Sequence, residues 1–97
     1  MEEPQEHIIP RYRVTVAYDG TDFKGWQKQP GLRTVQETVE EAVRRLAPEG
    51  AEIVIHGSGR TDAGVHAFGQ VAHFDLDREM PPIQLRRALN RWLPYDV

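Results

Sequence analysis

Arg60, Asp62 and His66 stand close together within residues 56–74, a stretch that also holds Gly57, Gly59, Gly64 and Gly69. Glycine lets a backbone turn sharply and approach a ligand closely, and a short polar loop holding an arginine, an aspartate and a histidine has the make-up of a site rather than of a core. An ionised carboxylate can serve as a nucleophile or as a base. Two other chemistries fit less well. A metal site would join Asp62 and His66 with His56 or His73, but a loop flanked by glycines is not a helix, and no second carboxylate stands with them. A phosphate loop needs a Gly-Lys-Ser/Thr ending, which Gly57-Ser58-Gly59-Arg60-Thr61 lacks. The plain structural alternative is a hairpin whose polar residues satisfy one another and the turn.

Rigid elements must hold such a loop in place. Alternating apolar residues predict strands over 51–57 and 68–76, on either side of it. A third strand precedes them, with Tyr12, Val14, Val16 and Tyr18 on one face and Arg13, Thr15, Ala17 and Asp19 on the other. Asp19-Gly20-Thr21 ends that strand with turn chemistry, and residues 23–33 show no regular period. Thr34 and Glu37 form a capping-box pattern. The helix they open carries Val35, Val39, Ala42, Val43 and Leu46 on one stripe, with Glu40, Glu41, Arg44 and Arg45 on a solvated face. Pro82 fits the first position of a second helix, whose buried stripe is Leu85, Ala88, Leu89, Trp92 and Leu93. Arg86, Arg87 and Arg91 cluster on another side of it. The order β-α-β-β-α is an α+β, ferredoxin-like unit without its final strand, with both helices on one face of an antiparallel sheet. The exposed edge should belong to residues 12–18.

Composition sets the outer bounds. Ninety-seven residues, 39% of them hydrophobic and none cysteine, fit one small domain without disulfides or thiolate metal sites. No apolar run approaches a membrane span. The formal charge is -3, but Glu2, Glu3 and Glu6 lie in a polar stretch, residues 1–10, that reads as a flexible acidic tail. The remainder is neutral, so binding a polyanion needs a local basic patch.

The run Gly59-Arg60-Thr61-Asp62-Ala63-Gly64-Val65-His66, followed by Gly69-Gln70-Val71-Ala72-His73-Phe74, resembles the catalytic signature of the TruA family of tRNA pseudouridine synthases. Tyr18-Asp19-Gly20-Thr21-Asp22-Phe23-Lys24-Gly25-Trp26-Gln27 is similar to that family's first block. The likeness covers nearly the whole chain after residue 10. It implies isomerisation of uridine to pseudouridine in the anticodon arm of tRNA. The bond from ribose C1′ to N1 breaks, the base turns, and it rejoins through C5 with no cofactor or metal. Enzymes that act on a base flip it out of its helix. Asp62 matches the catalytic aspartate, attacking C1′ or C6 or acting as base at C2′. Arg60 matches an arginine that steadies the aspartate or stacks within the RNA, and His66 a histidine that contacts RNA or orients the loop. Thr61, Lys24, Gln27 and Lys28 are further RNA-contact candidates, as are Arg86, Arg87 and Arg91. Trp26 reads as a lid over the core edge, within a loop that reaches over the nucleic acid.

The resemblance also implies a cytoplasmic homodimer with tRNA as partner. Residues 11–97 correspond to the N-terminal, aspartate-bearing half, and the partner half supplies the remainder of the cleft. The isolated chain is therefore expected to turn over RNA poorly. The alternative is a non-catalytic ferredoxin-like RNA-binding module, since such sheets bind single strands by stacking.

Overall fold

The computed structural model describes residues 8–59 and 61–97. Most of the expected acidic tail, and Arg60, lie outside the described residues. Alternation builds β1 (Arg11–Tyr18), which turns Tyr12, Val14, Val16 and Tyr18 inward. It runs antiparallel to β3 (Ala67–Asp75), from Arg11 opposite Asp75 to Tyr18 opposite Ala67. β2 (His56–Gly57) pairs with His73 and Ala72 on the other side of β3. The order β1-β3-β2 leaves β1 at an edge, as expected for the unit without its final strand.

Helices α1 (Val35–Arg44) and α2 (Pro82–Trp92) cover one face of this sheet. Val35, Val39, Ala42 and Val43 of α1 and Leu85 and Leu89 of α2 share a core with Val16, Tyr18, Ala72 and Phe74. This is the ferredoxin-like α+β arrangement, with Pro82 at the start of α2. Among the described residues, no helix is long and apolar enough to cross a membrane.

Three local expectations change. The strand expected over 51–57 shrinks to His56–Gly57. Ile53 and Ile55 still face inward, but the Ile55 N–H donates to Glu40 Oε1 (3.1 Å) and its carbonyl accepts from Gln36 Nε2 (3.0 Å). Side chains of α1 thus take backbone groups that a ladder would have used. Glu40, expected on the solvated face, is accordingly only 2% exposed.

The capping box also fails to form, because Thr34 makes no side-chain cap bond. The N–H groups of Val35 and Gln36 donate instead to the carbonyls of Gly25 (3.2 Å) and Trp26 (3.0 Å). Finally, Trp92 is 45% exposed rather than buried, with the Arg45 and Arg91 guanidiniums 5.0 and 5.6 Å from its ring centroid. A cation over an aromatic face is attracted by the ring quadrupole.

Candidate active site

The loop between β2 and β3 is tied down at its stem and again at its tip. At the stem, the Ser58 N–H donates to the Val71 carbonyl (2.9 Å), and Gln70 Nε2 donates to the Gly59 carbonyl (2.8 Å). At the tip, the partner is the segment that follows β1. The Trp26 N–H donates to the Thr61 carbonyl (3.0 Å), and the Gly64 N–H to the Phe23 carbonyl (3.1 Å). The Tyr18 hydroxyl and Thr61 Oγ1 share a hydrogen bond of 2.6 Å. Tyr18, Phe23 and Trp26 are all buried, with Tyr18 between the other two rings, so these anchors are rigid.

Two glycines permit this approach. A Cβ on Gly20 would lie 1.8 Å from the Val65 carbonyl oxygen, which is inside any tolerable contact. A Cβ on Gly25 would lie 2.7 Å from the Thr61 oxygen, and Gly25 also has φ of 90°, in the region that favours glycine. The two sequence blocks are therefore one structural unit.

Asp62 sits at the first corner of a turn closed by the Val65 N–H on the Asp62 carbonyl (3.2 Å). The residue is exposed, and among the described residues its carboxylate makes no hydrogen bond or ion pair. The turn is held on both sides, by Thr61 and by Gly64, and the carboxylate is free of the other described residues. An anion in that state can approach a substrate carbon or proton without first breaking an internal bond.

His66 closes the other flank. Its Nδ1 accepts the Gly20 N–H (2.9 Å) and lies 3.1 Å from Asp19 Oδ1. Nδ1 thus faces a donor and an acceptor at once, and both contacts fix the orientation of the ring. The Thr21 hydroxyl (2.6 Å) and N–H (3.0 Å) both donate to Asp19 and hold it below the usual carboxylate range.

The other candidates spread around this centre. Lys24 and Gln27 are exposed on the segment that grips the loop. Lys28 is committed, its N–H to Gln36 Oε1 (2.8 Å) and its ammonium to the buried Glu40 (3.5 Å). Trp26 is a core residue beneath the loop. Arg86 borders a groove between α2 and β1, and Arg91 leans on Trp92. Arg86, Arg87 and Arg91 are exposed, and no hydrogen bond or ion pair joins them to the described residues of the loop. His56 and His73 stack across β2 and β3 at 5.0 Å, apart from the contacts His66 makes. Among the described residues, no three carboxylate or imidazole side chains converge as metal ligands would.

Two contributors were not foreseen. Tyr18 reads in the sequence as core, which it is, yet its hydroxyl also braces the residue before Asp62. Arg33 pairs with both oxygens of Asp96 (2.8 and 3.0 Å) and covers the Phe23 ring at 4.0 Å. The Asp96 carbonyl accepts the Asp19 N–H (2.8 Å), so the segment after α2 also braces the site. Opposite charges 63 residues apart carry no local pattern that could have revealed this.

Comparison with known proteins adds the family. A family model described as tRNA pseudouridine synthase matches residues 14–97. The tRNA pseudouridine synthase A of Latilactobacillus sakei subsp. sakei is 60% identical over 90 residues, covering 93% of this chain and 36% of that protein. The protein of the same name from Lactiplantibacillus plantarum is 58% identical over 91 residues (93% and 35%). That of Maridesulfovibrio salexigens is 55% identical over 89 residues (92% and 32%). The chain thus spans about a third of the length of these relatives. The match takes in both blocks that grip each other around Asp62, and by it the chain belongs to the tRNA pseudouridine synthase family.

Proposed function

We propose that this chain supplies the catalytic aspartate for isomerising uridine to pseudouridine in tRNA. Asp62 acts on the ribose or base of a flipped uridine. The C1′–N1 bond breaks, the uracil turns, a C1′–C5 bond forms, and the C5 proton leaves, so that no atom is gained or lost overall except by proton exchange. Arg60 steadies the Asp62 carboxylate, and His66 contacts the RNA or orients the loop. Thr61 positions the turn and borders the RNA path. Lys24, Gln27, Arg86, Arg87 and Arg91 meet the phosphate backbone as the polyanion passes. The working enzyme is a cytoplasmic homodimer in which a further half-domain completes the cleft.

One observation carries this reading. Asp62 is exposed on a turn clamped from both sides, within the run that resembles the family's signature. The test is a chimera in which this chain replaces the matching part of the Latilactobacillus sakei relative. Tritium release from C5-labelled uridine in tRNA reports turnover. The chimera should be active and the isolated chain far slower. D62N in the chimera should lower the rate by about 10³-fold or more. A D62N chimera within about tenfold of its parent would remove Asp62 from the chemistry.

A further inference from the structure

Phe68 and Tyr95 are the most exposed aromatic residues described, at 96% and 94%. Neither exposure comes from a loose backbone. Between Val16–Gln70 and Tyr18–Ala67, two residues of β3, Phe68 and Gly69, stand opposite one residue of β1. That is a β-bulge, a device that re-aims a side chain, often beside a site. Tyr95 lies between Pro94 and Asp96. The Val97 N–H closes a turn onto the Pro94 carbonyl (3.1 Å), and Asp96 is fixed by Arg33 and by Asp19. Both rings border one concavity of about 430 Å³, whose other walls include Asp19, His66 and Val97.

We infer that Phe68 and Tyr95 form a stacking platform for an unpaired nucleobase of the RNA, beside the uridine that Asp62 acts on. The inference rests on the reading of this family site as RNA-modifying. Several features select a base over other occupants. Aromatic rings stack on any base. The polar part of the wall includes a carboxylate and an imidazole, which together can meet a base edge that carries both donors and acceptors. The ionised Asp19 repels a phosphate, because the nearby Arg33 is already spent on Asp96. Continuity also favours RNA, since His66 belongs to the Asp62 loop and Phe68 follows two residues later.

The test uses the 97-residue chain, a labelled octamer of uridines and an RNA duplex of equal length, read by fluorescence anisotropy. F68A and Y95A should each weaken octamer binding about fivefold or more, while F68W and Y95F stay within about twofold of the parent. Duplex binding should be unchanged, and the F68W indole should be quenched by the octamer. Both side chains are fully outside the core, so thermal melting should confirm that the alanine variants fold. Unchanged octamer affinity in F68A and Y95A overturns the inference, as does a parent chain that does not bind the octamer. A change in sedimenting mass in these variants without loss of affinity overturns it in favour of a protein interface. The D62N chimera tests the catalytic reading by a separate measurement, so either idea can fail while the other stands.

Discussion

The loop that carries Asp62 and the extended run before it adjoin in sequence but are held by opposite means. The loop is gripped by backbone, with carbonyls and N–H groups of residues 23–26 meeting those of 61–64. The run is gripped by side chains, with Glu40 and Gln36 serving both backbone groups of Ile55. Every buried backbone group needs a partner, and the two regions meet that demand differently. Backbone contact demands closeness, hence glycine. Side-chain contact demands a buried acceptor, hence a glutamate inside the core.

The backbone grip should be the more brittle. G20A would force a Cβ to 1.8 Å from the Val65 oxygen, and neither backbone can yield alone. It should cost at least about 3 kcal/mol, or prevent folding around the site. G59A in the same loop is the contrast, since its Cβ would lie at an ordinary 3.6 Å from the Gln70 amide. It should cost less than about 0.5 kcal/mol. Comparable melting temperatures for the two variants would refute the closeness argument.

The side-chain grip should depend on the acceptor more than on its charge. E40A leaves the Ile55 N–H unpaired in the core and should cost about 2–3 kcal/mol by denaturant unfolding. E40Q keeps a carbonyl oxygen at the same place and should cost about 1 kcal/mol or less. Its loss is confined to the contacts with half-exposed Lys28 and Arg44, at 3.5 and 3.8 Å. If the two variants lose equally, charge rather than the hydrogen bond holds the run.

These regions also mark how far the sequence could be read. Period-two alternation announced β1 and its inward face, because a strand's pattern is written in the strand itself. The glycines of the loop drew the eye in the sequence, but those that permit the close approach, Gly20 and Gly25, lie in the segment after β1. Glu40 was hidden, since its spacing to Arg44 reads as a solvent-facing ion pair, and that pair does form at 3.8 Å. Its burial comes from residues 53–55 lying over it, which no local pattern records. Trp92 fails similarly. It lies on the apolar stripe, but Arg45 from the other helix offers a half-exposed ring a cation to rest under.

A second side-chain clamp, Arg33 on Asp96, should show itself in acid. The guanidinium holds Asp96 below the usual carboxylate range. A depressed folded-state pKa means that the contribution is complete above the unfolded value and lost as pH falls through the folded one. Stability should therefore drop below about pH 4, with Asp19 and Asp75 contributing to the same limb. D96N should cost about 1–2 kcal/mol at neutral pH, because Arg33 remains half-exposed and screened. It should also make the acid limb shallower. An acid limb of unchanged steepness would show that the pair carries none of it.

The smallest effect is the most discriminating, because sequence and structure predict opposite signs. A working capping box at Thr34 would lose about 1 kcal/mol on removal of its hydroxyl. In the structure Thr34 is fully buried, and its Oγ1 has no hydrogen-bond partner among the described residues. The first two N–H groups of the helix, those of Val35 and Gln36, are met instead by the Gly25 and Trp26 carbonyls. Valine keeps the shape and drops a buried polar atom that gains nothing. T34V should therefore leave the melting temperature unchanged or raise it, by up to about 1 kcal/mol in stability. A clear loss would mean that Thr34 caps α1 after all.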